Sequence, residues 1–575
     1  MSIVDFLSVY TYRSVLVGTS LIGAIAGALG CFAYVRHQSL ASDVISHSAL
    51  PGVLLAFLFS TLGPGAFIHS PLLLVIGAAV TGTAAHLVAN IVASRTPLTI
   101  DAAMATTLSL FFGTGMLLLQ FISKSSLPGK GGIGAFLFGN ASTLTKADIT
   151  SSAIVGGCAI LATLALWKEF SLRAFDPEFC TVLGLNGKAI DAAMFAMLAI
   201  ATVAGVKAVG LHDTLLRSRW CGREQPRRLC VCRARGTAER SSDRSRARRG
   251  SRRVTPVRPS TWNPRAHGRV FDDAPHFSIV TRAREETVNF ILGTCALAVT
   301  TALATALPGV FVVLRKSSMM VDGMSHAVLP GVVIGYALTH SLTSPLLIVG
   351  AAGAGLLVVL GSEALSRTRL LAGDASQGLV FPALFSAGVL LISIDFGNVH
   401  LDEHAVLVGD VNLAAWTPLT IGGIDVGPQY LYVMLAVLAL NIGVIAALFP
   451  RLTVTTYDPA FAQSIGVRTG AINVVFMFLT SLTVTAAFHA AGAVLVLALV
   501  VIPAATARLW SRDLRDMVIG SVLVATLGTL AGFWLAYVLG AATSAGMAVV
   551  YGLIFFCVLA ARTALSRVRP SIREP

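Results

Sequence analysis

Charge is what this chain lacks. Asp, Glu, Lys and Arg together make up 12% of its 575 residues, where a soluble domain carries about 25%. Hydrophobic residues account for 55% and the mean hydropathy is +0.79, which excludes an ordinary water-soluble globule. Alternation with a period of two over ten-residue segments is also missing, and with it the signature of a membrane β-barrel. The eight cysteines have no framework spacing. Cys31, Cys158, Cys295 and Cys557 sit singly in apolar runs and read as small core residues. No Gly-x4-Gly-Lys-Ser/Thr phosphate loop occurs, Gly184-Leu-Asn-Gly187-Lys188-Ala being no match, so the chain carries no visible means of hydrolysing ATP. It is expected not to be an enzyme. The N-terminus shows no basic n-region with a cleavage site, so no signal peptide is expected.

What is present is a series of apolar runs of roughly 18–25 residues, long enough to cross a bilayer as helices. Ser14 to Val35, Pro71 to Ala93 and Asp516 to Leu539 are typical, and Gly and Ala inside them suit close helix packing in lipid. The expected fold is all-α, a polytopic transmembrane helical bundle embedded in membrane lipid.

The bundle is built twice. Asp43-Val-Ile-Ser-His47-Ser-Ala-Leu-Pro51-Gly52 returns as Asp322-Gly-Met-Ser-His326-Ala-Val-Leu-Pro330-Gly331, each copy following a basic pair, Arg36-His37 or Arg315-Lys316. Phe175-Asp176-Pro177-Glu178-Phe179, ending at Gly184, returns as Tyr457-Asp458-Pro459-Ala460-Phe461, ending at Gly466. Between them come Asp101-Ala102 and Asp374-Ala375 at helix starts, then polar loops with Phe-Gly-Asn140 and Val-Gly-Asp410. Four landmarks in one order identify a duplication. We divide the chain into a first half, residues 1–210, with about six crossings; an Arg-rich segment, 211–285; and a second half, 286–575, with about eight or nine. Arg36, Arg95, Lys168 and Arg173, and in the second half Arg315, Lys316, Arg367, Arg369 and Arg451, fall in alternate loops. The positive-inside rule assigns those loops to the cytoplasm and the N-terminus outside.

The first half parallels the second only as far as Val209-Gly210, which matches Ala491-Gly492. The second then continues Val501-Ile-Pro-Ala-Ala-Thr-Ala-Arg508 and two more helices, whereas the first becomes Leu211-His-Asp-Thr. From Leu211 to Val270 the chain is rich in Arg, has no Lys, and gathers Cys221, Cys230 and Cys232. Such a segment cannot form a core. A linker, an arm for anionic partners, and the out-of-frame product of GC-rich coding sequence are the readings that compete for it.

Asp and His four residues apart share one helix face. Carboxylate with imidazole suits divalent Mn, Fe or Zn, and the absence of thiolate argues against copper(I). Asp43, His47, Asp322 and His326 are therefore the candidate metal ligands, with two oxygens and two nitrogens enough for tetrahedral zinc and bidentate carboxylates enough for manganese. The competing reading makes Asp43 and Asp322 helix caps and the histidines core polar groups. Recurrence in both halves favours the metal. The proline after each His permits a helix break where a substrate passes. In the basic loops, Asp176 and Asp458 would cap short helices, Pro177 and Pro459 would fill their first turns, and Gly184 and Gly466 would end them. Such helices suit docking of a cytoplasmic partner, with the departure that Cys180 stands where the second half has Ala462. His489 and Lys207, at equivalent positions, are weaker candidates for a transport pathway, while His69, His86, His340 and His404 read as incidental.

These residues resemble the permease subunits of bacterial ATP-binding-cassette importers for manganese, zinc or iron. Arg36…Asp43-x3-His47…Pro51-Gly52, its copy at Arg315…Asp322-x3-His326…Pro330-Gly331, the loops at Asp176 and Asp458, and Val501 to Arg508 carry the resemblance. The first half, with Lys130-Gly-Gly-Ile-Gly and Phe138-Gly139-Asn140, looks like one of two permeases often encoded side by side, and the second, with His400-Leu-Asp-Glu and Gly422 to Pro428, like the other. The chain thus resembles a tandem fusion whose first member lacks its last helices. The resemblance implies a multi-pass protein of the bacterial inner membrane, with Asp and His binding a Mn, Zn or Fe ion as substrate and no permanently bound cofactor. It implies ATP-binding subunits seated on the Asp176 and Asp458 loops, an extracytoplasmic metal-binding protein outside, and no nucleic acid partner. An ion-gradient-driven metal transporter and a non-functional fused remnant are the alternatives.

Overall fold

The computed structural model describes residues 9–36, 38–62, 71–127, 146–209, 276–341, 344–368, 371, 375–395, 410–421 and 424–568. In the first half they form α1 (Tyr10–Val35), α2 (Ala41–Ser48), α3 (Leu50–Leu62), α4 (Pro71–Arg95), α5 (Ile100–Lys124), α6 (Lys146–Ala165), α7 (Trp167–Phe175), α8 (Pro177–Val182) and α9 (Gly187–Val209). The second half begins with α10 (His276–Leu314), α11 (Ser318–His326), α12 (Val328–Thr339), α13 (Pro345–Arg367), α14 (Ala375–Asp395) and α15 (Val411–Ala414). It closes with α16 (Gln429–Tyr457), α17 (Pro459–Ser464), α18 (Thr469–Ala491), α19 (Ala493–Arg508), α20 (Leu514–Leu539) and α21 (Thr543–Val568). Among the described residues twelve spans are long and apolar enough to cross a membrane, α6 and α7 make a further pair bent by 69°, and α19 is shorter. Lys130, Asn140, Asp374, His400 and the Arg-rich segment up to residue 275 lie outside the described residues; α10 begins at His276, inside the segment assigned above to 211–285.

The all-α expectation needs one addition. Between α15 and α16 an antiparallel hairpin, β1 (Pro418–Ile421) and β2 (Ile424–Pro428), pairs Thr420 with Asp425 and Ile421 with Ile424. The flanking Thr-Ile and Ile-Asp-Val around Gly422-Gly423 are a hairpin signal that a helix-period scan passes over.

The repeated Pro-Gly organises the backbone around each motif. Pro51 lies four residues after His47, and Pro330 four after His326, so each His carbonyl loses its i+4 amide donor. The helix accordingly breaks between α2 and α3 at Ala49 and between α11 and α12 at Ala327. The following glycine brings two helices into backbone contact. A Cβ on Gly52 would run into the Gly77 carbonyl of α4, and one on Gly331 into the Gly350 carbonyl of α13. Small residues allowing such approach are the usual solution where helices pack in lipid.

The halves share one core. Buried Leu40, Val44, Ala102, Met104 and Leu108 of the first half belong to a cluster with Val310, Met324, Val496 and Tyr551 of the second. Helix α5 makes most of this junction, packing against α19, α21 and α11. Its Gly113 meets Ala548 and Val549, and Leu110 fills the space beside Gly552. At the far end the Gln120 side chain accepts the Ala542 amide hydrogen, and Lys124 donates to the Gly540 carbonyl. Helix α19 is the hub of the second half, with Val496 to Ile502 fully buried and α10, α20 and α21 around it.

Replacing Gly331 by Val should force α12 off α13 and lower stability by about 1–3 kcal/mol or more. The thermal unfolding midpoint in detergent should fall for Gly331→Val and for Gly52→Val. It should stay near the parent value for Gly353→Ala, because nothing lies within 4 Å of a Cβ there.

Candidate metal site and docking helices

Neither motif aspartate caps its helix. Helix α2 is preceded by Leu40 and α11 by Ser317, neither with a side-chain cap, and Asp43 and Asp322 lie inside the helices. The capping alternative therefore fails on geometry. Within each helix the i,i+4 spacing brings the pair together: His47 Nε2 is 3.5 Å from Asp43 Oδ1, and His326 Nε2 is 3.7 Å from Asp322 Oδ2.

The two helices then present these faces to each other. The His47 and His326 rings stack with centroids 6.0 Å apart and planes at 21°. One donor atom from each of Asp43, His47 and His326 lies within 4.8 Å of the others. Asp322 stands just outside that trio, 6% exposed, with its carboxyl beside that of Asp43. Oδ2 of Asp43 is buried and has no hydrogen-bond partner, so the cluster has acceptor capacity left over. The structure thus brings all four predicted residues to one place and sets three of them within reach of a single ion.

Three phenyl rings wall the cluster. The edge contact of Phe112 on His47 has centroids 5.5 Å apart, and that of Phe385 on His326 has centroids 6.2 Å apart. Phe381 stacks on His326 at 5.8 Å. Phe112 and Phe385 are equivalent, each eleven residues after the Asp of an Asp-Ala landmark. Apolar walls of this kind lower the local dielectric and strengthen any charge interaction inside. Sequence reasoning missed them; their common offset from Asp101 and Asp374 was the available signal.

The two Asp-Pro loops fold alike. In α8 the Asp176 carboxylate accepts from the Phe179 amide at 2.9 Å, and in α17 Asp458 accepts from Phe461 at 2.9 Å. Pro177 and Pro459 occupy the first turn. Gly184 and Gly466 follow the helices with φ of +74° and +78°, a conformation natural to glycine. Leu185 N–H then reaches the Cys180 carbonyl and Val467 N–H the Ala462 carbonyl, closing a Schellman turn in each copy. Cys180 and Ala462 are both fully buried beneath the helix, so the one departure between the copies is hidden from the outer face. That face is apolar and open: Phe179, Val182, Leu183, Phe461 and Ile465 are all about half exposed or more.

His489 is not drawn into the metal cluster. It sits in the last turn of α18 against the ring of Tyr430, centroids 4.7 Å apart, at the end of the bundle opposite α17. The side chain of Lys207, like His69 and His404, lies outside the described residues. His340 ends α12 in a left-handed turn. His86 is fully buried on α4 with its ring on Phe195 and both nitrogens without partners, an arrangement the sequence did not signal.

The model of the ABC 3 transport family matches residues 8–212 and again residues 287–562. The chain belongs to the ABC 3 transport family. Among curated relatives, it is 39% identical to the zinc transport system membrane protein TroD of Treponema pallidum, over 46% of this chain and 71% of that protein. It is 35% identical to the manganese transport system membrane protein MntD of Bacillus subtilis, over 45% of this chain and 88% of that protein. Among solved structures, PsaBC from Streptococcus pneumoniae in complex with Fab aligns at 22% identity and a TM-score of 0.42, covering 49% of this chain and 95% of that one. Each relative spans about half of the chain, while the family model matches twice. The chain is a tandem pair of ABC 3 permease units and a multi-pass protein of the bacterial inner membrane.

Asp458→Ala should remove the α17 cap and cost about 1 kcal/mol locally. Hydrogen exchange at residues 460–464 should speed roughly fivefold, with exchange in α18 unchanged.

Proposed function

We propose that this ABC 3 permease is the membrane component of an importer for a divalent transition metal, with Mn or Zn the first candidates and Fe next. The observation that carries the reading is the cluster of Asp43, His47 and His326, contributed by both halves and enclosed by phenyl rings. Hard carboxylate and borderline imidazole donors match these ions. Asp322, beside the trio, supplies a fourth donor when the helices draw together. The names of the relatives, zinc and manganese transport membrane proteins, point to the same ions.

The work of transport comes from partners. Helices α8 and α17 offer capped, apolar, exposed faces outside the long spans, which suits ATP-binding subunits seated on the cytoplasmic side. An extracytoplasmic metal-binding protein delivers the ion at the opposite face. Nucleotide binding closes the ATPases and shifts the permease between two states, exposing the Asp/His cluster to one side and then the other.

Cells expressing the chain with its ATPase and binding protein should accumulate radiolabelled Mn or Zn. Asp43→Ala, His326→Ala and Asp322→Ala should each cut uptake to background while the protein still inserts in the membrane. In the purified complex, metal affinity should drop at least tenfold for the first two. Uptake that survives an ATPase-dead partner but collapses with a protonophore would instead establish a gradient-driven transporter. Normal uptake by Asp43→Ala would remove the metal from this site.

A further inference from the structure

Docking helices and metal cluster stand at different levels of the bundle, and the two arginines that precede the motifs connect them. Arg315 and Arg36 each lie seven residues before a motif aspartate. Arg315 directly follows α10, in a tight turn where Lys316 has φ +59°, three residues ahead of the start of α11. Its guanidinium donates to Thr456 Oγ1 at 3.0 Å, to Thr455 Oγ1 at 3.0 Å and to Asn473 Oδ1 at 2.9 Å, and lies 4.8 Å over the Phe476 ring. Thr455 and Thr456 are the last turn of α16, and Asn473 is near the start of α18. One side chain therefore ties the entry of the motif helix to both helices that flank the docking helix. Burial lowers its pKa only to about 10, so it keeps its charge at neutral pH.

The first half builds the same junction from different chemistry. Arg36 pairs with Asp191 near the start of α9 and lies 5.6 Å over Phe195. Arg173, in the last turn of α7, holds the same Asp191 with two bonds of 3.0 and 2.8 Å. Asp191 and Asn473 each lie fifteen residues after a docking aspartate, and Arg173 and Thr455 each three before. The set Arg–Asp–Arg in one half thus stands where Arg–Asn–Thr stands in the other. Both sets carry a net charge of one positive unit, and both keep the arginine next to the motif. Arg36 and Arg315 thus reach the same position, fifteen residues after a docking aspartate, and in the first half Arg173 joins through that shared Asp191. In the second half a cavity of about 1020 Å³ opens between these elements, lined by Arg315, Met320, Pro459, Gln463 and Asn473 among others. Arg315 lines this cavity together with Pro459 and Gln463 of α17 and is bonded to the helices on either side of it.

We infer that Arg36 and Arg315 are positioning residues that carry docking-helix movement to the metal-binding helices α2 and α11, and that the charged and neutral anchor sets are interchangeable. This rests on the importer reading. A planar fork with several donors in fixed geometry suits such a strut better than a point charge on a flexible stem.

The test uses the reconstituted complex with its ATPase subunits and binding protein, and reads metal ions moved per ATP hydrolysed, alongside metal affinity and ATPase rate. Arg315→Gln and Arg315→Lys should keep affinity and ATPase rate within about twofold and lower ions per ATP at least tenfold. Asp191→Asn alone, which leaves Arg36 and Arg173 facing each other without an acid, should do the same. Asp191→Asn combined with Arg173→Thr installs the second half's Asn and its Thr455 equivalent, with Ala174 still standing where the second half has Thr456, and should recover ions per ATP to within about twofold of the parent. Unchanged ions per ATP in both Arg315 variants would overturn the inference. So would a double variant as impaired as the single one, or a parallel loss of affinity, ATPase rate and transport, which would mark a merely structural role. A parent complex that moves no metal would defeat the importer reading itself, an outcome distinct from all of these.

Discussion

Two carboxylates and two imidazoles placed among apolar helices are the constraint on which the rest of this structure turns. An ionised side chain alone at the middle of a bilayer costs about 3 kcal/mol on insertion scales and more by other measures. Asp43, His47, Asp322 and His326 are tolerated because they are gathered, each Asp with the His one turn on and the two His rings against each other. Gathering them requires that helices from both halves meet at one point. The shared core of α5 with α11, α19 and α21 follows from that requirement as much as from apolar burial itself.

The backbone devices around the motif serve the same end. A proline four residues past each His ends the first helical segment, and a glycine immediately after it seats the second segment on its neighbour. Gly388 of α14 packs on Pro330, and Gly115 of α5 on Leu50. The break is thus held between two close contacts, which fixes where the Asp/His face points. Leu-Pro-Gly recurs as a unit for this reason, and substitution of any one member acts on the site through helix position rather than through ligand chemistry.

How much of this could be read beforehand depended on whether the signal was local. Long apolar runs declared the spans, and residues close in sequence declared the motif: Asp and His four apart, Pro four further, Asp-Pro with its glycine. The two Asp-Pro helices were legible down to their caps because Asp, Pro and Gly each act on the backbone within a turn. The walls of the Asp/His cluster were not, since Phe112 and Phe385 look like any aromatic in an apolar helix until the fold sets them on the histidines. Nor were the partners of Arg36 and Arg315, which lie more than a hundred residues away and differ in chemistry between the halves. That Asp322 stands outside the closest trio is likewise a matter of helix placement, to which spacing is blind.

The halves are alike at the Asp/His cluster and unlike around it. Just over half of an 18-residue apolar window of α5 is buried because it lies against α19 and α21, whereas under a fifth of the corresponding window of its counterpart α14 is buried, leaving Leu379, Leu390 and Ile394 open. Among the described residues the first half ends with α9 and offers α14 no equivalent of α19. Yet Phe385 meets His326 much as Phe112 meets His47, and Gly388 seats on the motif proline. The inner face of α14 is fixed by α12 and α13, which the second half supplies for itself. Symmetry at the site therefore does not depend on symmetry of the outer packing: a unit whose neighbour offers, among the described residues, no equivalent of α19 still holds its Asp/His face in register through the break, the glycine contacts and the arginine junction.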